Sequence, residues 1–419
     1  MTTSVIKGIA IIAISLFHSI LFAQSPTYYE HIEPIIRNNC AACHNPTGIG
    51  PFSLSTFEEV ASKGKFIAHV TKIKYMPPWK ADLAFQTFKN ERFLTQEEIA
   101  LIQQWVDAGM PKGKKRKIKE AEKNVLNPPP DMVLSMSNTF QIPNTAVEEF
   151  RFFSIPTNLP QDVYLSGINF LPGSKQVHHS RIMTDSTQKI RGINGLSELD
   201  PAIKEFQKIP LADEFLYGWV PGNEGVKFPE GTGKKIVKGT DLILNIHYSP
   251  TSKALQDKSS IQLYFTKSPV EREVKTMTLR ENDISNQPFF IPADSQPTFY
   301  ISYKVEKDIS LISVMPHMHF LGKSFAALAS TPDGETIPLI KIENWDFNWQ
   351  STYLYKNLLK IPAGSVILVA ATYDNTQTNN ANPHNPPKDI GYGWNSTDEM
   401  CNLIIYYVDY TEGDEKIEN

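Results

Sequence analysis

Asp241-Leu242-Ile243-Leu244-Asn245-Ile246-His247 has the β-branched, alternating look of a sandwich strand, and it ends on a histidine. Ser260–Phe265 and Ser365–Tyr373 read the same way. Around these stretches turn signals recur at intervals of about ten residues, the spacing of an all-β domain. Long helical patterns are scarce beyond residue 131, apart from a short one near 196–207. The region is too long for one small sandwich, and its histidine clusters divide it in two. The expected boundary lies near 270–280, giving β-sandwich (jelly-roll-like) domains over 131–275 and 276–419. No short repeat period is visible.

Upstream, residues 24–115 read as a small all-α domain. Ile32, Ile35 and Ile36 form one apolar face. Thr95-Gln96-Glu97-Glu98 is a capping box, opening a helix with Ile99, Ile102, Trp105 and Val106 inward and Gly109 as its stop. A Lys/Arg run (Lys112–Lys119) and Asn127-Pro128-Pro129-Pro130 mark a change of character, and residues 116–130 are the expected linker. The basic run reads as a solvated face, with docking of an acidic partner as the alternative.

The chain of 419 residues, 21% charged with a net charge of −4, has no basic excess that would point to nucleic acid. Lys7 followed by the apolar run Ile9–Phe22, with Ala23 before Gln24, reads as a secretory signal peptide over residues 1–23. The run is short for a membrane span, so an uncleaved anchor is the lesser alternative, and the mature chain has no other segment apolar enough to cross a bilayer. The expected location is periplasmic or secreted. Three cysteines, Cys40, Cys43 and Cys401, leave no intrachain disulfide framework.

Cys40-Ala41-Ala42-Cys43-His44 is a C-x-x-C-H motif. One helical turn presents both sulfurs to a porphyrin edge and the imidazole to the iron, so the motif predicts one covalently bound haem c with His44 as proximal ligand. A stray Cys pair or a zinc site is the plainer reading, but no second ligand pair accompanies it. For the sixth ligand, Met76 sits in Tyr75-Met76-Pro77-Pro78-Trp79, where prolines stiffen the loop, and Met110 is the competitor. The attachment helix, the Met-Pro loop and the Trp-bearing last helix together resemble a class I cytochrome c.

Ten histidines occur in total, and six lie in motifs: His44, His178, His179, His247, His317 and His319. His317 and His319 are two apart, so on a strand both point to one face. His178 and His179 are adjacent and can share a metal only at a strand end or bulge. Either pair alone is as readily an ordinary surface or core pair. Met400 adds a soft sulfur that favours copper over zinc, although the strand that follows makes core packing equally natural.

The order of these blocks resembles the copper type II, ascorbate-dependent monooxygenases, over roughly residues 131–412. The segments that carry the resemblance are Val177-His178-His179, Ile246-His247-Tyr248, Pro316-His317-Met318-His319 with Gly322, and Asp398-Glu399-Met400-Cys401-Asn402. Trp219-Val220-Pro221-Gly222 through Pro229-Glu230-Gly231 resembles the family's lead-in to the third histidine. The resemblance implies two copper ions facing each other across a solvent-filled cleft. His178, His179 and His247 would hold the electron-storing copper, and His317, His319 and Met400 the copper where O2 and a small organic substrate meet. It implies hydroxylation of a C–H bond with two electrons taken from outside, from ascorbate or a redox protein; the fusion itself, not the resemblance, suggests the tethered haem as the relay to the three-histidine copper. The alternative is a non-catalytic haem/copper electron-transfer or copper-binding protein. Two departures bear on substrate: the family's carboxylate-gripping Arg position is Met315, and the aromatic position after Asn402 is Ile404. The disulfide partner of the family cysteine at Cys401 is replaced near Ala371, which implies a buried free thiol. Trp345, Trp349, Tyr392 and Trp394 read as core more readily than as pocket lining.

Overall fold

A computed structural model describes residues 25–46, 48, 50–89, 91–115, 129–145, 147–203, 215–223 and 225–419. The signal-peptide reading, most of the linker and the end of the helical pattern near 196–207 lie outside these residues. Most of the described chain is β-strand, and none of its helices is long and apolar enough to cross a membrane.

The C-terminal part is a jelly roll. Of its eight long strands, the first, eighth, third and sixth (275–279, 402–409, 309–317 and 353–361) form one sheet. The second, seventh, fourth and fifth (298–304, 366–373, 322–330 and 336–342) form the other. This alternation between two sheets is the mark of paired Greek keys. Side chains such as Leu311, Phe325, Val369 and Ile405 fill the space between them.

The N-terminal sandwich opposes a four-stranded sheet, in the order 149–156, 241–248, 177–185 and 215–219, to a sheet built on 260–265, 163–171 and 232–236. The chain crosses to the second sandwich at Val274: residues 272–273 pair with 232–233, whereas 275–279 pair with 403–407. The two cores are continuous there, because Ile312, Met315, Ile404, Tyr406 and Val408 pack into the N-terminal core. A part-buried ion pair, Arg272 Nη1 to Asp414 Oδ2 at 2.6 Å, ties the same junction.

The strand Asp241–Tyr248 differs from a half-exposed strand, since all eight residues are buried. Leu242, Leu244, Ile246 and Tyr248 face the sandwich core. Ile243, Asn245 and His247 take the opposite face, where Ile243 joins Phe152, Met183, Trp394 and Met400. The outer face of this sheet is therefore itself a packing surface, covered by the second sandwich.

The N-terminal unit is helical: α1 (Glu33–Asn39), α2 (Phe57–Ser62), α3 (Gly64–Lys72) and α4 (Gln96–Asp107). Thr56 with Glu59 and Thr95 with Glu98 form capping boxes at α2 and α4. Ile99, Ile102 and Trp105 are buried against Tyr28, Ile32 and Val60, with Val106 at the margin. Gly109, with φ +79°, terminates α4 in the left-handed region. The start of the basic run returns to this unit, where Lys112 pairs with Glu58 at 2.7 Å.

The helical region is not one uninterrupted domain over 24–115. After Pro78 the chain leaves it and runs across the C-terminal sandwich. Phe88 is buried in that sandwich's core, 5.2 Å from the Tyr353 ring, and Ala81 and Phe88 bridge to Ile342 and Tyr355. The reason is apolar content: Trp79, Ala81 and Phe88 have more surface to bury on the jelly roll than the small helical unit offers. Phe88→Ala should destabilise the C-terminal sandwich by about 3–5 kcal/mol. The check is the denaturant midpoint of that unit, together with the onset of proteolysis between residues 76 and 93.

Candidate metal centres

The strands 177–185 and 241–248 are register neighbours, with His179 opposite His247. The register slips between Val177 and His179, so His178 is the extra residue of a β-bulge. That slip turns an adjacent pair, which a regular strand would send to opposite faces, toward one point. One ligand atom from each of His178, His179 and His247 lies within 4.8 Å of the others. The Nδ1 atoms of His179 and His247 are 3.3 Å apart, and the buried Nδ1 of His178 has no hydrogen-bond partner.

The far side of His247 is fixed. Its Nε2 stands 3.2 Å from Glu148 Oε2, and Phe150 stacks on the ring with centroids 4.1 Å apart. This contact keeps a carboxylate at the Nε2 edge while the Nδ1 edge faces His179. Burial, before any neighbouring charge, pushes the His178 imidazole down to about 4 and holds that of His179 well below its ordinary value, so both are neutral donors at ordinary pH. A buried nitrogen without a partner is costly in a folded protein, and a soft divalent or monovalent cation removes that cost.

His317 ends the strand 309–317 and pairs in register with Asn402, which places the Asp398–Met400 segment beside it. Met318, between the two histidines, points into the C-terminal core, and the His317 and His319 rings lie 5.1 Å apart on the other side. Here it is Nδ1 that is engaged. His317 Nδ1 donates to Gln350 Oε1, and His319 Nδ1 donates to Asp398 O at 3.0 Å. Nε2 is then the remaining ring nitrogen of each, and on His317 it faces Arg181 Nη1. Trp345 lies under Gly322, where an added Cβ would be 2.6 Å from the indole, and donates from Nε1 to His319 O.

One buried carboxylate organises this centre. Glu399 accepts from the amides of His319 at 2.8 Å, Leu321 at 2.6 Å and Met400 at 3.3 Å. It fixes two candidate ligands by their backbones. Burial pushes Glu399 up to about 8, against the pull of those N–H groups. Met400 is buried beside Trp394, Phe152 and Met183, so packing and a ligand position coexist at this residue. Tyr373 donates to Met400 O at 2.7 Å, and the thiol of Cys401 is free, fully buried and in one core with Ala371.

The two histidine sets are not separated by an open cleft. Phe347 is buried between them, its ring 5.7 Å from His179, 6.2 Å from His247 and 5.9 Å from His319. Arg181, on the same strand face as His179, reaches across until Nη1 is 3.5 Å from His317 Nε2. Its Nε and Nη2 both donate to Asn245 Oδ1. The reason for the difference is that the outer face of the four-stranded sheet is covered, with Ile243 packed against Trp394 and Met400.

Met315 is core, packed against Gly218 and Thr352, and Asn402 is buried with its amide on Glu281 Oε2 at 3.1 Å. Trp394 is buried and donates to Tyr392 OH at 2.9 Å, while Tyr392 itself is exposed.

In the helical unit, Cys43 and His44 donate backbone amides to Cys40 O at 3.2 and 2.9 Å, closing the turn after α1. His44 Nδ1 donates to Phe52 O at 3.0 Å, which again leaves Nε2 as the donor to a metal. Close to this turn, Phe52, Lys63, Phe66 and Met110 line a cavity of about 630 Å³. Met110 packs on Gly64, where an added Cβ would be 2.4 Å from its sulfur. Met76 follows α3, its amide donating to Val70 O at 3.1 Å. Two thiols one turn apart, followed by an imidazole with Nδ1 engaged, are the kind of donor set that a covalent haem takes, although Cys40, Cys43, His44 and Met76 do not line that cavity.

Sequence reasoning missed Arg181, Phe347, Gln350, Glu148 and Phe150, and left Glu399 unassigned. None carries a motif, since each acts through a neighbour distant in the chain. Only Glu399 had a local signal, as an acid beside a ligand-type methionine.

Residues 296–417 match the C-terminal domain of the copper type II ascorbate-dependent monooxygenases. Dopamine beta-hydroxylase of Canis lupus familiaris is 23% identical over 277 residues, covering 61% of this chain and 42% of that protein. The chain thus spans less than half the length of this relative. Solved structures align weakly. The major capsid protein P2 of bacteriophage PM2 does so with a TM-score of 0.26 at 8% identity, covering 68% of this chain and 99% of that one. The VP2 subviral particle of infectious bursal disease virus does so with a TM-score of 0.19 at 10% identity, covering 68% and 73%. Neither bears on function. Residues 296–417 thus carry a domain similar to the C-terminal domain of the copper type II, ascorbate-dependent monooxygenases.

Proposed function

We propose that the chain is a copper-dependent monooxygenase that hydroxylates a C–H bond of a small organic substrate with O2, drawing its electrons through a haem c carried on its own helical unit. The observation that carries this reading is the complementary use of ring nitrogens. His178, His179 and His247 gather within 4.8 Å, two of them with Nδ1 facing Nδ1, while His317 and His319 have Nδ1 engaged next to the segment that carries Met400. An inert copper store has no need of two unlike donor sets.

In this reading His178, His179 and His247 hold one copper, and His317, His319 and Met400 hold the other. Bound there, the two coppers supply one electron each and the O2 chemistry that inserts a single oxygen atom into the substrate. The chain's own residues set the conditions. Glu148 places a carboxylate at the Nε2 edge of His247, and Gln350 and Asp398 keep the His317 and His319 protons on Nδ1. Glu399 locks the His319 and Met400 backbones, and Phe347 excludes water between the sets. Cys40 and Cys43 attach the haem, His44 ligates it, and Met76 is the proposed sixth ligand; the haem supplies one-electron storage. Ascorbate or a redox protein is the proposed external donor, and the proposed location is periplasmic or secreted.

Protein matured in an oxidising compartment should contain two coppers and one low-spin haem c per chain. His247→Ala and His317→Ala should each remove one copper and abolish reductant-dependent oxygen uptake with substrate. Full copper loading at both sites without any such uptake, across a substrate screen, would return the chain to the non-catalytic carrier.

Glu399→Gln should weaken copper at the His317/His319/Met400 site by about 10- to 100-fold, measured by chelator competition. The three-histidine site should be unchanged in the same titration. Met76→Ala should convert the haem from low to high spin in its optical spectrum, whereas Met110→Ala, a packing change, should not.

A further inference from the structure

The Cys40–His44 turn does not stand free of the sandwiches. Lys175 Nζ donates to Pro46 O at 3.0 Å. Arg92 donates from Nη2 to Asn223 Oδ1 at 2.9 Å and from Nη1 to Pro221 O at 3.4 Å. Between these contacts lies Gly222, with φ +79°. A Cβ added there would stand 2.6 Å from Cys43 Sγ and 2.8 Å from Arg92 Nη1. The backbone at Gly222 is thus packed directly against the sulfur.

Both contacted segments run into the three-histidine site. Lys175 lies just before the bulged His178 on the same stretch of chain. Gly222 follows the strand 215–219, whose Trp219 is the register partner of Ser180, the residue after His179. On its other side the helical unit is held by the 79–89 segment, with Lys89 N donating to Leu354 O at 2.8 Å. Two anchors on different sandwiches fix the unit's position.

We propose that the Cys43–Gly222 contact is a built-in electron-transfer junction, and that Gly222 and Arg92 are positioning residues for it. The inference rests on the haem and copper reading given above and adds the route: from the Cys43 side of the haem, through Gly222 to Trp219, and across the sheet to the three-histidine site. Each transfer oxidises one ferrous haem to ferric and reduces one cupric ion to cuprous. An external one-electron donor restores the ferrous haem before the second transfer, and no proton or group moves.

A turn alone would require only the left-handed backbone, which asparagine also adopts. Gly222→Asn keeps that conformation and places atoms in the Cys43 contact, so it separates the two roles. Arg92→Met tests the clamp independently. The experiment uses the full chain loaded with haem and copper, oxidised, under argon. A light flash in the presence of a photoreductant delivers less than one electron per haem, and haem re-oxidation is followed optically at several protein concentrations.

Wild type should re-oxidise in a first-order step that is independent of concentration and absent after copper removal. Gly222→Asn and Arg92→Met should slow that step by about tenfold or more, as small misplacements do at reacting centres. Haem spectrum, haem potential and copper content should stay as in wild type. Variants that transfer at the wild-type rate overturn the junction and leave the proposed function standing. Wild-type re-oxidation that is absent, or that scales with concentration, overturns the haem as internal donor and the junction with it.

Discussion

The structure depends on burying both faces of one sheet. The strands 149–156, 241–248 and 177–185 send one set of side chains into the N-terminal core and the other against the C-terminal sandwich. Burial of a few hundred square ångströms of apolar surface at about 25 cal/mol per Å² is enough to make such a junction persistent. The polar residues on the outer face, His179, Arg181, Asn245 and His247, are held inside it. Their hydrogen bonds must then be met by one another, by the facing domain or by a ligand. That requirement links a packing constraint to the chemistry.

The two candidate centres solve the same problem in opposite ways. Where the chain offers acceptors behind Nδ1, as at Gln350 and the Asp398 carbonyl, Nε2 is turned to the other side. Where a carboxylate sits behind Nε2, as Glu148 does at His247, Nδ1 faces His179. Second partners of this kind set which nitrogen binds and how basic it is. Phe347 and Arg181 then divide the space between the centres, one by bulk and the other by charge.

The segment after Pro78 shows how little of the domain arrangement is local. Its residues follow a helix of the small unit, yet Phe88 belongs to the jelly-roll core. Its effect is to brace the helical unit against one sandwich while Arg92 and Lys175 brace it against the other. A tether alone would leave the Cys40–His44 turn free to wander from the sheet.

The sequence by itself determined what could be written in short-range patterns. The C-x-x-C-H turn, the Thr95–Glu98 capping box, the strand at 241–248 and the His-x-His pair each follow from the backbone period and side-chain type. It also set the condition that His178-His179 needs a bulge, since adjacent residues on a regular strand diverge. Tertiary structure alone decided the rest: which nitrogen of each histidine is engaged, that Glu399 ties His319 to Met400, that Phe347 stands between the sets, and that Gly222 meets Cys43. Those facts arise from residues far apart in the chain meeting at sheet faces and loops. Local propensity carries no information about which distant partner a buried polar atom will find.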